Sequence, residues 1–116
     1  MRSRGDKGEE CARAYLVRKG YKIVVNNFCV RGGEIDIIAE APDGCTVFFE
    51  VKLRAREPEN HASIVGRLKI MRLWRAIHQF LEVQSCVTRI RLDVLLLIPA
   101  AHGAPMARIF WYKNIF

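Results

Sequence analysis

The apolar positions of this chain follow two periods, one helical and one of strands. From about Lys7 to Lys19 the sequence predicts a helix, with Glu9 and Glu10 in its first turn, where the dipole favours anions, and Gly20 placed to end it. Tyr21 to Val30 is β-branched and aromatic enough for a strand, with Asn26-Asn27 marking a bulge or bend, and Arg31-Gly32-Gly33 supplies a tight turn. Alternation across Glu34 to Glu40 puts Ile35, Ile37 and Ala39 on one face and Glu34, Asp36, Ile38 and Glu40 on the other. After the turn Pro42-Asp43-Gly44, the strand Cys45 to Arg54 sets Val47, Phe49, Val51 and Leu53 against Phe48, Glu50, Lys52 and Arg54. A polar loop from Ala55 to about Ala62 leads to a helix from near Gly66 to Gln84, whose apolar stripe is Ile70, Leu73, Trp74, Ile77, Phe80 and Leu81. Lys69, Arg72 and Arg75 lie off that stripe. Arg89 to Ile98 is a continuous apolar strand of the kind covered on both faces, and Arg108 to Tyr112 is a peripheral last strand. The order α-β-β-β-α-β-β predicts an α/β fold, a mixed central sheet flanked by helices.

Composition narrows the class. With 116 residues, 51% hydrophobic and 27% charged, residues 1–116 are expected to form one packed domain that needs no disulfide or structural metal. The longest uncharged run, Val94 to Ala107, contains Pro99, Gly103 and Pro105 and is too short to span a bilayer, so no membrane partner is expected. The N-terminus leads into charge and not into an apolar stretch, unlike a secretory signal, and a cytoplasmic location follows as the expectation. Cys11, Cys29, Cys45 and Cys86 show no metal-ligand spacing and read as reduced, partly buried thiols.

The net charge of +7 is uneven. No acidic residue occurs between Asn60 and Leu81, whereas Arg67, Lys69, Arg72 and Arg75 all fall there. Such a block can attract a polyanion, nucleic acid first among them, and it also fits a solvated helix face.

The chemistry-bearing residues lie on the hairpin Glu34 to Arg54. A hairpin symmetric about Asp43 sets Asp36 opposite Glu50, Glu34 opposite Lys52 and Ile38 opposite Phe48. Two carboxylates facing each other destabilise a sheet unless a cation or proton lies between them. Hard oxygen ligands with open positions suit Mg²⁺ (or Mn²⁺), and the matching chemistry is phosphodiester hydrolysis, with Asp36 and Glu50 holding metal and Lys52 orienting water or steadying the transition state. Acid-x-basic on a strand also fits ordinary sheet decoration, and the tripeptide Glu50-Val51-Lys52 alone leaves both readings open. Asp93 is either a structural carboxylate paired with Arg91 or a group supporting the site from behind.

Gly8-Glu9-Glu10-Cys11-Ala12, Tyr15-Leu16, Gly20-Tyr21, Gly33-Glu34-Ile35-Asp36-Ile37-Ile38-Ala39, Phe49-Glu50-Val51-Lys52-Leu53-Arg54, Lys69, Arg91-Leu92-Asp93-Val94 and Asn114-Ile115-Phe116 stand in an order that resembles the YraN family of small bacterial proteins. That family is assigned to the restriction-endonuclease-like superfamily and is similar to Holliday-junction resolvases. The resemblance implies a restriction-endonuclease-like domain with Asp36, Glu50 and Lys52 as the catalytic set and Glu9 as an extra acid that helps hold metal. The expectation is a divalent-metal-dependent nuclease acting on DNA more than RNA, with branched DNA among its substrates and Arg54, Lys69, Arg72 and Arg75 contacting phosphates. By the same resemblance a two-fold homodimer would cut both strands. The alternative is a nucleic-acid-binding module that keeps the fold and cuts nothing, and a third reading is a protein-interaction domain.

Overall fold

The computed structural model describes residues 3–56, 65–84, 86–87, 89–99 and 108–115, with side chains from residue 8 onward. Its elements are α1 (Ser3–Arg18), β1 (Lys22–Val30), β2 (Gly33–Glu40), β3 (Thr46–Leu53), α2 (Arg67–Val83), β4 (Ile90–Ile98) and β5 (Arg108–Tyr112), in the order the sequence predicts. Most of the polar loop after β3 and the residues His61 and His102 lie outside the described residues.

The strands form one sheet in the order β1-β2-β3-β4-β5. Neighbours are antiparallel except β3 and β4, which are parallel and are therefore joined by a crossover, here α2. Helices cover both faces. Ala12 and Leu16 of α1 pack with Tyr21, Ile37, Ala39, Val47, Phe49, Leu95 and Leu97, whereas Leu73, Ala76, Ile77 and Phe80 of α2 pack with Ile35, Ile38, Phe48, Leu92 and Val94. This double cover explains the apolar run Val94 to Ile98 of β4, in which every residue is buried, as are Leu92 and Asp93 before it. α1 ends as Gly20 predicts: Gly20 takes φ 89°, its N–H donates to Val17, and the Tyr21 N–H reaches back to the Leu16 carbonyl at 3.0 Å, while Leu16 and Tyr21 share the core.

One expected pattern is corrected. Strict alternation places Ile35 with Ile37 and Ala39, yet Ile35 lies with Ile38 in the layer beneath α2. The cause is a break in both strands at one level. Phe28 pairs with Ile35 and Asn26 with Ile37, and between them Asn27 takes φ 54°, a left-handed conformation that Asn tolerates better than most residues. The step at Asn27 and Asp36 resets the alternation, so Val25 and Phe28 of β1 share a layer just as Ile35 and Ile38 of β2 do. Of the bulge or bend expected at Asn26-Asn27, Asn27 shows the left-handed backbone with pairing unchanged across it, whereas the register shift itself lies earlier in β1, between Ile23 and Val25.

Gly33 fixes how close α2 comes to the sheet. A Cβ placed there would run into the Arg72 carbonyl oxygen and lie 3.0 Å from the Ala76 backbone nitrogen. The hairpin turn thus seats directly against the helix backbone, which only glycine allows.

Among the cysteines, all four are free thiols, but only Cys45 is buried; Cys11, Cys29 and Cys86 are exposed, contrary to the expectation of partial burial.

Candidate active site

The hairpin register expected from symmetry about Asp43 holds over its outer half: Glu40 pairs with Thr46, Ala39 with Val47, Ile38 with Phe48 and Ile37 with Phe49. Beyond Ile37 and Phe49 the ladder gives way to a side-chain contact. The Asp36 Oδ2 accepts the backbone N–H of Val51 at 2.8 Å, doing for that donor what a strand carbonyl does elsewhere in the sheet. Glu50 and Lys52 continue the face of β3 that carries Phe48, so they project under α2 at the point where β2 and β3 part.

Glu50 is 3% exposed and Asp36 is 7% exposed. Two ammonium groups converge on one oxygen of Glu50: Lys52 Nζ lies 3.1 Å from Oε2 and Lys69 Nζ lies 3.5 Å from it. The other oxygen, Oε1, is buried and has no hydrogen-bond donor among the described residues. Burial first, and the Asp36 carboxylate second, push the Glu50 carboxyl up to about 7 against the opposing pull of Lys69 and Lys52.

Lys69 also binds Glu34 Oε1 at 3.1 Å. Burial alone would depress its ammonium, but Glu50 and Glu34 outweigh that and raise it, so it stays charged. This position differs from the expectation that Lys69 lies off the buried stripe with Arg72 and Arg75. Leu73, Ala76 and Phe80 are the buried residues of α2 at four, seven and eleven positions beyond Lys69, so Lys69 extends the sheet-facing stripe by one turn. Reading the stripe through Ala76 and not only through the large apolar residues is the sequence clue that places Lys69 in the cluster. It also brings in Glu34, whose expected partner was Lys52.

The remaining candidates stand apart. Glu9 is buried on α1, and among the described residues no three His, Cys, Asp or Glu side chains are gathered closely enough to hold a metal ion, so Glu9 does not complete a trio with Asp36 and Glu50. Arg54, Arg72 and Arg75 are exposed; Arg54 bonds the Leu53 carbonyl, and Arg75 reaches over Gly32. Asp93, fully buried, accepts hydrogen bonds from Arg91 Nε, Trp111 Nε1 and the Asn114 N–H, and Arg91 in turn donates to the Tyr21 hydroxyl at 2.8 Å. It is a structural carboxylate that ties β4 to β5 and the residues after it.

Residues 8–97 match the model of the uncharacterised protein family UPF0102. The chain is 35% identical to a UPF0102 protein of Polaromonas naphthalenivorans over 121 residues, covering 99% of this chain and 79% of the relative. It is 36% identical to a UPF0102 protein of Cupriavidus necator, covering 97% of this chain and 82% of the relative. A UPF0102 protein of Trichlorobacter lovleyi shares 54% identity over a shorter stretch of 50 residues. These matches agree with the motif resemblance to the YraN family, and the chain belongs to the uncharacterised protein family UPF0102.

Proposed function

We propose that this protein is a divalent-metal-dependent nuclease that hydrolyses phosphodiester bonds in DNA, branched DNA among them. The observation that carries this reading is Glu50, a deeply buried carboxyl group beside a second one, with one oxygen held by two lysines and the other given no donor by the described residues. A buried orphan oxygen is costly, and a cation is the natural complement of the pair. Mg²⁺ and Mn²⁺ take one or two carboxylates and complete their shell with water and phosphate oxygens, so Asp36 and Glu50 would hold the metal. A divalent ion held there would supply Lewis-acid chemistry, polarising the phosphate and lowering the pKa of a water.

The chain's own residues supply the rest. Asp36 is oriented in advance by the Val51 N–H, so it need not reorganise when charge develops. Lys52, 18% exposed at its side chain and 3.1 Å from Glu50, would steady the negative charge that grows on the phosphate oxygens. The exposed Arg72 and Arg75 of α2, with Arg54 beyond β3, form the phosphate-contacting surface. One observation favours a second reading, a binding module without cleavage: no third ligand joins Asp36 and Glu50 among the described residues.

The test is incubation of the protein with branched, duplex and single-stranded DNA, with and without Mg²⁺ or Mn²⁺, alongside Glu50→Ala and Lys52→Ala. Metal-dependent cutting that both substitutions abolish while binding persists supports the nuclease. Salt-dependent binding without cutting supports the module, and no binding at all overturns both.

A further inference from the structure

Lys52 and Lys69 hold the same oxygen of Glu50, yet they are not equivalent. Lys52 sits two residues from Glu50 on β3 and is tied to it by the strand. Lys69 comes from the first turn of α2 and has a second anchor, Glu34, whose side chain is 31% exposed against 4% for Glu50. The start of α2 is also a poor place for an unpaired cation. Gly66 offers no side-chain cap, the first turn has no acid, and the helix dipole disfavours positive charge there while favouring an anion.

We propose that Lys69 is a metal-responsive phosphate contact: without metal its ammonium holds Glu50 and Glu34, and a divalent cation at Asp36 and Glu50 releases it to a nucleic-acid phosphate. This inference rests on the nuclease reading of the site and adds the regulation of that site. A dication at Asp36 and Glu50 supplies the positive charge that the two lysines provide in its absence and repels both. Lys52 is held by its strand, so Lys69 is the one that yields. Glu34 keeps it at the rim as it moves. There it meets phosphate beside an uncapped helix terminus, where phosphate is favoured on both counts. Because metal and Lys69 compete for one carboxylate while metal frees Lys69 for phosphate, metal binding and DNA binding strengthen each other reciprocally.

The experiment uses the full chain, wild type and the variants Lys69→Met and Lys69→Arg, the latter keeping the charge. Mn²⁺ affinity is measured from the electron paramagnetic resonance of the free ion, and binding of a labelled DNA duplex from its anisotropy in Ca²⁺ and in EDTA. Lys69→Met is expected to bind Mn²⁺ at least about fivefold more tightly than wild type, the lower end of typical coupling between sites. It is also expected to lose the tightening of DNA binding that the divalent cation gives the wild type, whereas Lys69→Arg keeps it. Equal or weaker Mn²⁺ binding by Lys69→Met, or metal-enhanced DNA binding that survives in it, overturns the inference while wild-type Mn²⁺ binding leaves the metal reading standing. Should neither wild type nor variants take up Mn²⁺, the metal reading itself falls, and the inference with it.

Discussion

The Asp36 carboxylate accepts the Val51 backbone N–H at 2.8 Å, immediately past the last pair of the β2–β3 ladder. One side chain thereby completes the backbone bonding of β3 and sets a negative charge beside Glu50. The phase break at Asn27 and Asp36 makes this possible, because it takes Asp36 out of the strict alternation of β2. Asp36→Asn keeps an oxygen that can accept from Val51 and removes the charge. The Glu50 carboxyl is then expected to fall from about 7 toward its usual value of 4.5, without reaching it because burial is the larger cause. Carboxyl-carbon NMR titration of Glu50 reads this directly, and an unchanged midpoint would contradict the account.

The raised Glu50 carboxyl makes stability depend on pH. Its folded-state value lies above its unfolded one, so its contribution is fully present below about pH 4.5 and is lost as pH rises through about 7. A displacement of this size corresponds to roughly 3 kcal/mol. Glu50→Gln removes the titration, so its melting temperature relative to wild type is expected to climb between pH 5 and pH 8. Melting curves of both proteins across that range give the measurement. At pH 8, added Mg²⁺ is expected to raise the wild-type melting temperature and to leave the Gln variant where it is, since metal binding requires the deprotonated carboxylate.

At Gly33 the smallest enlargement meets helix backbone and not a side chain that can swing away. Gly33→Ala is expected to destabilise the protein by roughly 1–3 kcal/mol, the range for forced overpacking. Urea unfolding would show it as a lowered midpoint with an unchanged slope.

Asp93 is a test of the distinction between structural and catalytic carboxylates. Asp93→Ala strands the Arg91 guanidinium, the Trp111 indole N–H and the Asn114 N–H, and is expected to cost about 3–5 kcal/mol, as breaking a buried pair does. Denaturant unfolding measures the loss. Cleavage per folded molecule is expected to persist, because Asp93 has its partners among Arg91, Trp111 and Asn114 and none in the Glu50 cluster.

Much of this was legible in the sequence because it rests on local rules. Gly20 ended α1, Pro42-Asp43-Gly44 set the hairpin register, and the apolar run Val94 to Ile98 of β4 announced cover on both faces. What escaped depended on contacts between distant segments. The alternation at Ile35 fails where β2 changes phase at Asp36, level with the left-handed Asn27 of the neighbouring strand, and strand period alone carries no trace of a neighbour's conformation. Lys69 falls off a stripe drawn through the large apolar residues alone, although its spacing to Leu73, Ala76 and Phe80 places it over the sheet.

The most direct measurement is the rate at which the wild type and Glu50→Gln cut a labelled four-way DNA junction under single-turnover conditions with Mn²⁺, both proteins confirmed folded by circular dichroism. The account predicts metal-dependent cutting by the wild type and a rate at least about a hundredfold lower for the Gln variant, the scale of losing one group that stabilises the transition state. Equal rates for the two proteins, or no cutting by the wild type with any divalent metal, would contradict it.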